Sequence, residues 1–277
     1  MSEKNPKQEN TRLWSCRPQT GKCPNGCNQC FYNRPGAYYC DINEPNIPDP
    51  QEVGSDIVRM NSGHDSNINR NLVIETASKY ENVFFNTAIP QFDFPGPVVF
   101  TANAKEEETA WVPWSPWTHY DTPNVKVLPE DQRKLLHNLM FVRLRVSSTN
   151  LGHISEAVRL WTNAYKIPVV LTFMAYYSQD PPKSMEIPAP KVAQESTSDD
   201  SPVIEIYRWR KRHINSYWCP TSEFMIYVLE KMKQLGGRRV TMCGTPDRPW
   251  CKDCHTCESY YWLTKKHIME QSLGIDK

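Results

Sequence analysis

Apolar positions along the chain fall into short runs rather than long amphipathic stretches. Seven runs are rich in β-branched and aromatic residues: RLWSC (12–16), DIVRMN (56–61), NVFFNT (82–87), PVVFTAN (97–103), LMFVRLRVSS (139–148), IPVVLTFMAYY (167–177) and RRVTMC (238–243). Several are nearly continuous, as in strands covered on both faces. Between them the spacing predicts helices over 66–80, 129–139, 152–166 and 221–237. The second opens on Pro-Glu-Asp, and the last follows Thr221 and closes on a glycine pair, which is the start and stop chemistry of helices. Strand and helix in alternation predict an α/β fold with a parallel sheet, open or curled into a barrel. In such folds the ligand site gathers at the carboxyl ends of the strands.

Two segments break the alternation. Residues 181–202, PPKSMEIPAPKVAQESTSDDSP, are rich in Pro, Ser, Asp and Lys and are expected to form a mobile surface excursion. Residues 109–123, TAWVPWSPWTHYDTP, concentrate tryptophan and proline and suit a packed loop or a lid over the site. A polar lead, residues 1–10, is expected to be disordered, so the core spans 11–243 and a cysteine-rich extension spans 244–277.

Charge narrows the partners. The 277 residues hold 32 Lys plus Arg against 31 Asp plus Glu, so no global field argues for a polyanion. One local run is the exception: YRWRKRH at Tyr207 to His213 interleaves basic and aromatic residues, a pattern that suits either a solvated helix or loop face or contact with nucleic acid. The N-terminal stretch MSEKNPKQENTRLW has no apolar core of a signal peptide, and no run reaches the length of a membrane span. The expected location is the cytoplasm, without membrane contact. In that reducing compartment the ten cysteines read as metal ligands or redox groups before they read as disulfides.

Seven of those cysteines form two groups. In GKCPNGCNQCFYN, Cys23, Cys27 and Cys30 follow the spacing C-x3-C-x2-C among turn-forming residues, so the thiols are displayed on a loop. Three thiolates from one loop can converge on one soft metal centre and leave one coordination position open. In CGTPDRPWCKDCHTCESYYW, Cys243, Cys251, Cys254 and Cys257 make a complete four-thiolate set, which suits a second cluster or, alternatively, structural zinc. His255, between two of these thiols, is expected to be exposed. Cys16, Cys40 and Cys219 read as inert core thiols, although any one can substitute for a member of the second set.

The loop CPNGCNQCF, directly after the first strand of an α/β chain, resembles the radical S-adenosylmethionine superfamily, with the resemblance running from about Arg12 to about Cys243. It implies a partial (β/α)6-type barrel of parallel strands with a short C-terminal cysteine-rich extension. It also implies a [4Fe–4S] cluster held by Cys23, Cys27 and Cys30, whose fourth iron binds the amino and carboxylate groups of S-adenosylmethionine. Reductive cleavage then yields a 5′-deoxyadenosyl radical that abstracts a hydrogen, with electrons from a donor such as flavodoxin or ferredoxin. Under this resemblance Ser62, Gly63, His64 and Asp65 meet the methionine amine, and Ser147, Ser148 or Asn150 meets the ribose. Arg143 or Arg145 meets a carboxylate or an anionic substrate, or else forms a structural ion pair. The family's aromatic before the third cysteine is replaced here by Gln29, with Phe31 and Tyr32 just after it. The C-terminal thiols resemble auxiliary clusters of some members, which implies a second [4Fe–4S] cluster, with zinc as the alternative. Two other readings stand beside this one: a zinc-containing nucleic-acid-binding protein with both cysteine groups structural, and a non-radical iron–sulfur electron carrier. The substrate is not named by the sequence, and nucleic acid is among those it admits.

Overall fold

The structure, a computed structural model, describes residues 4–27, 29–30, 32, 39–105, 108–114, 125–178, 180–182, 184–188, 203–213, 216–244 and 251–274. Its centre is a seven-stranded sheet of β1 (Leu13–Cys16), β2 (Ile57–Met60), β3 (Asn82–Thr87), β4 (Val98–Thr101), β5 (Leu139–Val146), β6 (Val169–Phe173) and β7 (Val240–Met242). Each of the seven strands lies within one of the seven apolar runs. Every neighbouring pair is parallel, and the spatial order is the order in sequence. All strand carboxyl ends therefore share one edge.

Successive strand residues point to opposite faces, and the chain uses both faces for burial. Val58, Met60, Phe85, Phe100, Val142, Leu144, Val169, Leu171 and Val240 belong to the larger core. They pack with residues of the helices α1 (Arg70–Ala77), α2 (Leu151–Arg159) and α3 (Ser222–Gly236), among them Val73, Val158 and Val228. The intervening positions Ile57, Phe84, Val99, Phe141 and Val170 join Leu13 in a second, smaller core on the other face. This two-sided demand explains why the strands carry nearly continuous apolar runs.

The expected helix over 221–237 is α3, capped by the Thr221 hydroxyl, which accepts from the Phe224 N–H at 3.2 Å, and ended by Gly237 at φ +59°. The others are shorter than their patterns. The pattern at 66–80 yields α1 only, 152–166 yields α2 and then a π-helical turn at Leu160–Ala164, and 129–139 splits into Glu130–Arg133 and a 3-10 turn at Leu136–Asn138. Within 109–123, Ala110–Val112 pairs in parallel with Val125–Val127, while 115–124 lie outside the described residues. Glu186–Pro188 pairs antiparallel with Val203–Glu205, and the rest of the expected excursion, 189–202, likewise lies outside them. Asn5 and Gln8, inside the expected disordered lead, are buried, and the Gln8 side-chain oxygen accepts from the Ser15 hydroxyl at 2.7 Å. The basic run beginning at Tyr207 is neither helix nor loop at its start: Tyr207–Arg210 is a strand paired with Tyr217–Pro220.

The element that the apolar pattern did not announce is α4, a 17-residue helix over Thr256–Ser272. It covers the second face of the sheet. Tyr261 is buried there with its ring centroid 6.3 Å from that of Phe84, and Tyr260 sits 5.5 Å from Phe141. Asn82, at the amino end of β3, accepts from the Tyr261 hydroxyl at 3.2 Å and from the Lys265 ammonium at 2.6 Å. Among the described residues no helix is long and apolar enough to cross a membrane.

Tyr261 is the apolar anchor of this layer. Tyr261→Ala should cost about 3–5 kcal/mol of unfolding free energy, as large-to-small changes of buried aromatics do, whereas Tyr261→Phe should cost about 1 kcal/mol for the lost hydrogen bond. Urea unfolding checks this, and a Tyr261→Ala midpoint equal to that of the wild type would remove α4 from the core.

Candidate metal centres on the sheet

The loop after β1 is organised from within by Arg17. Its side chain is buried, and its guanidinium donates to the backbone carbonyls of Gln19 at 2.6 Å, Asp41 at 2.6 Å, Glu44 at 2.8 Å and Ile42 at 3.1 Å. Arg17 also exchanges backbone hydrogen bonds with Asn46 at 2.8 and 2.9 Å, so the base of the loop is closed as a short bridge. Gln19, also buried, donates to the carbonyls of Ile68 at 2.7 Å and Asp65 at 3.3 Å and ties this loop to the one after β2. Within the loop Gly21 at φ +75° and Gly26 at φ +63° take conformations that side chains with a Cβ rarely adopt.

Cys23, Cys27 and Cys30 stand half-buried on this loop. Burial pushes the Cys27 thiol up to about 11, and the neighbouring Cys30 and Cys23 push the same way, while Arg145 opposes them. Cys23 is raised by burial, with Asp65 and Cys30 adding to the effect. Asn25 donates to the Cys27 sulfur at 3.5 Å and to the Asp65 carboxylate at 3.4 Å.

Asp65 is buried, and its carboxylate is occupied by the chain itself. One oxygen accepts from the Asn67 N–H and the Thr87 hydroxyl, both at 2.9 Å, and the other from the Ala88 N–H at 2.7 Å. It therefore joins the loops after β1, β2 and β3. Burial nevertheless raises its pKa, against the pull of those hydrogen bonds. His64 accepts from the Asp65 N–H at 3.0 Å, and burial lowers its pKa. Ser62 accepts from Arg59 at 2.8 Å and lies 2.9 Å from the Tyr32 hydroxyl, while Gly63 holds φ +100° in the same turn.

The positions after β5 sit at the same edge. Arg145 is buried and donates to the Ala104 carbonyl at 2.6 Å. Ser147 and Asn150 are buried as well: the Asn150 side chain accepts from the Ser147 N–H at 2.9 Å and donates to the Arg145 carbonyl at 2.9 Å. Phe31 lies outside the described residues.

The second thiol group lies on the face covered by α4. Cys243, Cys251, Cys254 and Cys257 line one cavity together with Leu13, Phe141 and Val170 of the smaller core and the guanidiniums of Arg59 and Arg143. Cys243 follows β7, whereas Cys251–Cys254 is a single helical turn and Cys257 is in the first turn of α4. The cavity thus extends from the carboxyl edge down the sheet to Leu13, at the start of β1. His255, at φ +48°, also borders it, but its ring is 55 % exposed and faces Glu258 at 3.4 Å. Burial raises Cys257 to about 12, opposed by Arg143 and Arg59. For Arg59, burial works against the charge, yet Cys251, Tyr32, Cys257 and Tyr39 hold its pKa up.

Neither Arg59 nor Arg143 meets a carboxylate among the described residues, and the Nε of each is shut from solvent without a hydrogen-bond partner there. A charged group withdrawn from water without a counter-charge is costly. The groups facing them across the cavity are the four thiols; burial favours the neutral form of Cys243 and Cys257, and the set would answer the charge only as thiolates bound to a metal. In donor chemistry both groups suit a soft metal centre, but among the described residues no three His, Cys, Asp or Glu side chains stand together at metal-holding distance. Sequence reasoning named all seven cysteines and Arg143. It missed Arg17, Gln19 and Arg59, because their roles arise from contacts across 25 to 49 residues of chain rather than from local pattern. Comparison with protein-family models, curated proteins and solved structures returned no match.

Two thiols of different setting give a direct check. Cys16 is buried in the larger core, and burial raises it to about 12, so it stays a neutral thiol across the usable pH range. Native-state alkylation of metal-free protein at pH 8 should modify the half-buried Cys23, Cys27 and Cys30 and leave Cys16 unmodified until the chain unfolds. Arg17→Lys leaves loop carbonyls without donors, at about 1–3 kcal/mol per buried group, and should speed modification of the three loop thiols several-fold. Equal loop-thiol rates in the two proteins would show that the guanidinium does not hold the loop.

Proposed function

We propose that the chain is an iron–sulfur enzyme of the radical S-adenosylmethionine type, with a second metal centre. The observation that carries the reading is the position of the three-thiol loop: directly after the first strand, at the carboxyl edge of a parallel sheet whose seven strands run in sequence order. Strand crossovers of one hand in an unreversed order place the connections on one side and favour curling of the sheet. The partial barrel is therefore the form we assign to the sheet, with the thiol loop at its mouth.

In this reading Cys23, Cys27 and Cys30 hold a [4Fe–4S] cluster and leave one iron to the amino and carboxylate groups of S-adenosylmethionine. The bound pair supplies one-electron cleavage of the sulfonium and a 5′-deoxyadenosyl radical for hydrogen abstraction from a substrate. The protein's part is to orient and to exclude water. Asp65 is a positioning residue here, since its carboxylate is engaged by Asn25, Asn67, Thr87 and Ala88. The turn at Ser62 to His64 is the segment available to the methionine end. Arg145, which bears on Cys27, balances negative charge at the loop. Cys243, Cys251, Cys254 and Cys257 hold the second centre, a four-thiolate group whose net negative charge Arg59 and Arg143 offset.

Anaerobic reconstitution with iron and sulfide should load about eight irons per chain, four for each cluster. Replacing Cys23, Cys27 and Cys30 together by Ala should halve that number. Reduced wild type should convert S-adenosylmethionine slowly to 5′-deoxyadenosine, and the triple variant should form none. Protein that takes up only zinc, or a triple variant that keeps all its iron, would sink the reading; methylthioadenosine as the sole product would assign another cleavage.

A further inference from the structure

The basic run beginning at Tyr207 forms one strand of a two-stranded ribbon, Tyr207–Arg210 against Tyr217–Pro220. Its register pairs Tyr207 with Pro220, Arg208 with Cys219, Trp209 with Trp218 and Arg210 with Tyr217. Alternation therefore puts Tyr207, Trp209 and Trp218 on one face and Arg208, Arg210 and Tyr217 on the other. The first face is turned to the protein at Tyr207, which is buried, and opens toward solvent at Trp209, which is exposed with its ring 5.2 Å from that of the half-buried Trp218. The second face is turned outward, with the Arg208 side chain 70 % exposed and Arg210, Lys211 and Arg212 exposed after it.

This outward face is unusual in its charge. From Tyr207 to Pro220 the chain holds four cations, Arg208, Arg210, Lys211 and Arg212, and no Asp or Glu. Glu205, just before it, pairs with Arg208 at 3.0 Å, but Arg210 and Arg212 meet no carboxylate among the described residues. They are gathered on an aromatic instead. Arg210 donates to the Tyr217 hydroxyl at 3.3 Å, and the Arg212 guanidinium lies 5.1 Å from the centre of the Tyr217 ring. The Tyr217 ring also packs against that of Tyr177, 5.2 Å away and tilted by 36°. Holding guanidiniums on a tyrosine pair lowers the ordering cost of any ligand that uses both.

The ribbon also has a fixed place. Tyr176, just past β6, exchanges backbone hydrogen bonds with Trp218 at 3.0 and 2.8 Å, and the Tyr207 hydroxyl accepts from the Ser148 N–H, just past β5, at 3.2 Å. It is thus pinned at the carboxyl edge of the sheet, the edge that carries the three-thiol loop.

We propose that this ribbon is a docking surface for single-stranded nucleic acid. Side chains two apart on one strand face lie about 6.5–7 Å apart, close to the step between phosphates of an extended single strand. Arg208, Arg210 and Arg212 then follow the backbone while unstacked bases lie on Tyr217 and Tyr177. A duplex hides its base faces and forfeits the stacking contact. An anionic membrane offers the charge without the ring contact, and the exposed Trp209 that would enter it lies on the face opposite Arg208 and Arg210. The proposal does not depend on the radical chemistry, because the ribbon contains none of the metal-centre cysteines.

Fluorescence anisotropy of fluorescein-labelled U20 and dT20 with the full chain, between 50 and 200 mM salt, tests it. Wild type should bind at least one of the two with a steep salt dependence. Arg210→Ala/Arg212→Ala should lower the slope of log affinity on log salt by roughly 1.4, at about 0.7 per phosphate contact. Tyr217→Ala should weaken binding about tenfold with little change of slope. A folding check by circular dichroism should show thermal midpoints near that of wild type, and Lys231→Ala/Lys233→Ala on α3 should bind as wild type does. Unchanged affinity in the ribbon variants, a duplex bound as tightly as the single strand, or capture of phosphatidylserine vesicles in preference to the oligonucleotides would each overturn it. The Cys23, Cys27, Cys30 triple Ala variant should bind U20 and dT20 normally, so that failure of the cluster assignment and failure of the docking surface are read separately.

Discussion

The candidate site depends first on one buried cation, Arg17. A loop of turn-forming residues has many carbonyls and few partners for them, because it joins neither helix nor sheet. The Arg17 guanidinium accepts that task through its planar fork of donors, with hydrogen bonds to Gln19, Asp41, Ile42 and Glu44. The two ends of the loop, some 25 residues apart, are thereby brought to one point. A Lys would offer a point charge with fewer directed donors. Everything carried by the loop, the three thiols included, takes its position from this interaction and from the bridge that Gln19 makes to the next loop.

A second constraint comes from charge. The face of the sheet under α4 is apolar at its base, where Leu13, Ile57, Phe84 and Val170 meet Tyr261, and cationic above, where Arg59 and Arg143 face four cysteines. Neutral thiols there, the form that burial favours for Cys243 and Cys257, leave the guanidiniums opposite groups that do not answer them. With thiolates the same arrangement is balanced. This links the packing of the last helix to the proposed second centre: α4 brings Cys257 into the cavity through the same segment that buries Tyr261.

How much was legible in the sequence follows from where the physical demand is local. The sheet strands are buried on both faces, so each writes a dense apolar run, and all seven were readable with small errors at their ends. The helix α3 carries its own cap at Thr221 and its own stop at Gly237, and it too was readable. By contrast α4 buries Tyr261 and Thr264 amid Lys, Glu, His and Gln, a stripe too narrow and too polar to stand out from a loop. The two cysteine groups were visible from spacing alone. Their surroundings were not, because Arg17, Gln19 and Arg59 act on groups distant in sequence, and the ribbon after residue 206 was hidden by a composition that suits helix, loop or strand alike.

The position of α4 in the chain also orders events during synthesis. All seven strands precede it, so the face formed by Leu13, Ile57, Phe84, Val99, Phe141 and Val170 exists before the helix that covers it has been made. During that interval the nascent sheet displays an oily surface with two guanidiniums beside it, and its cavity stands open to small solutes. Addition of α4 covers the base of that cavity and delivers Cys257 to it in the same motion. The four thiols of the cavity therefore come together only after the whole sheet has been made, while the loop after β1 can be formed far earlier.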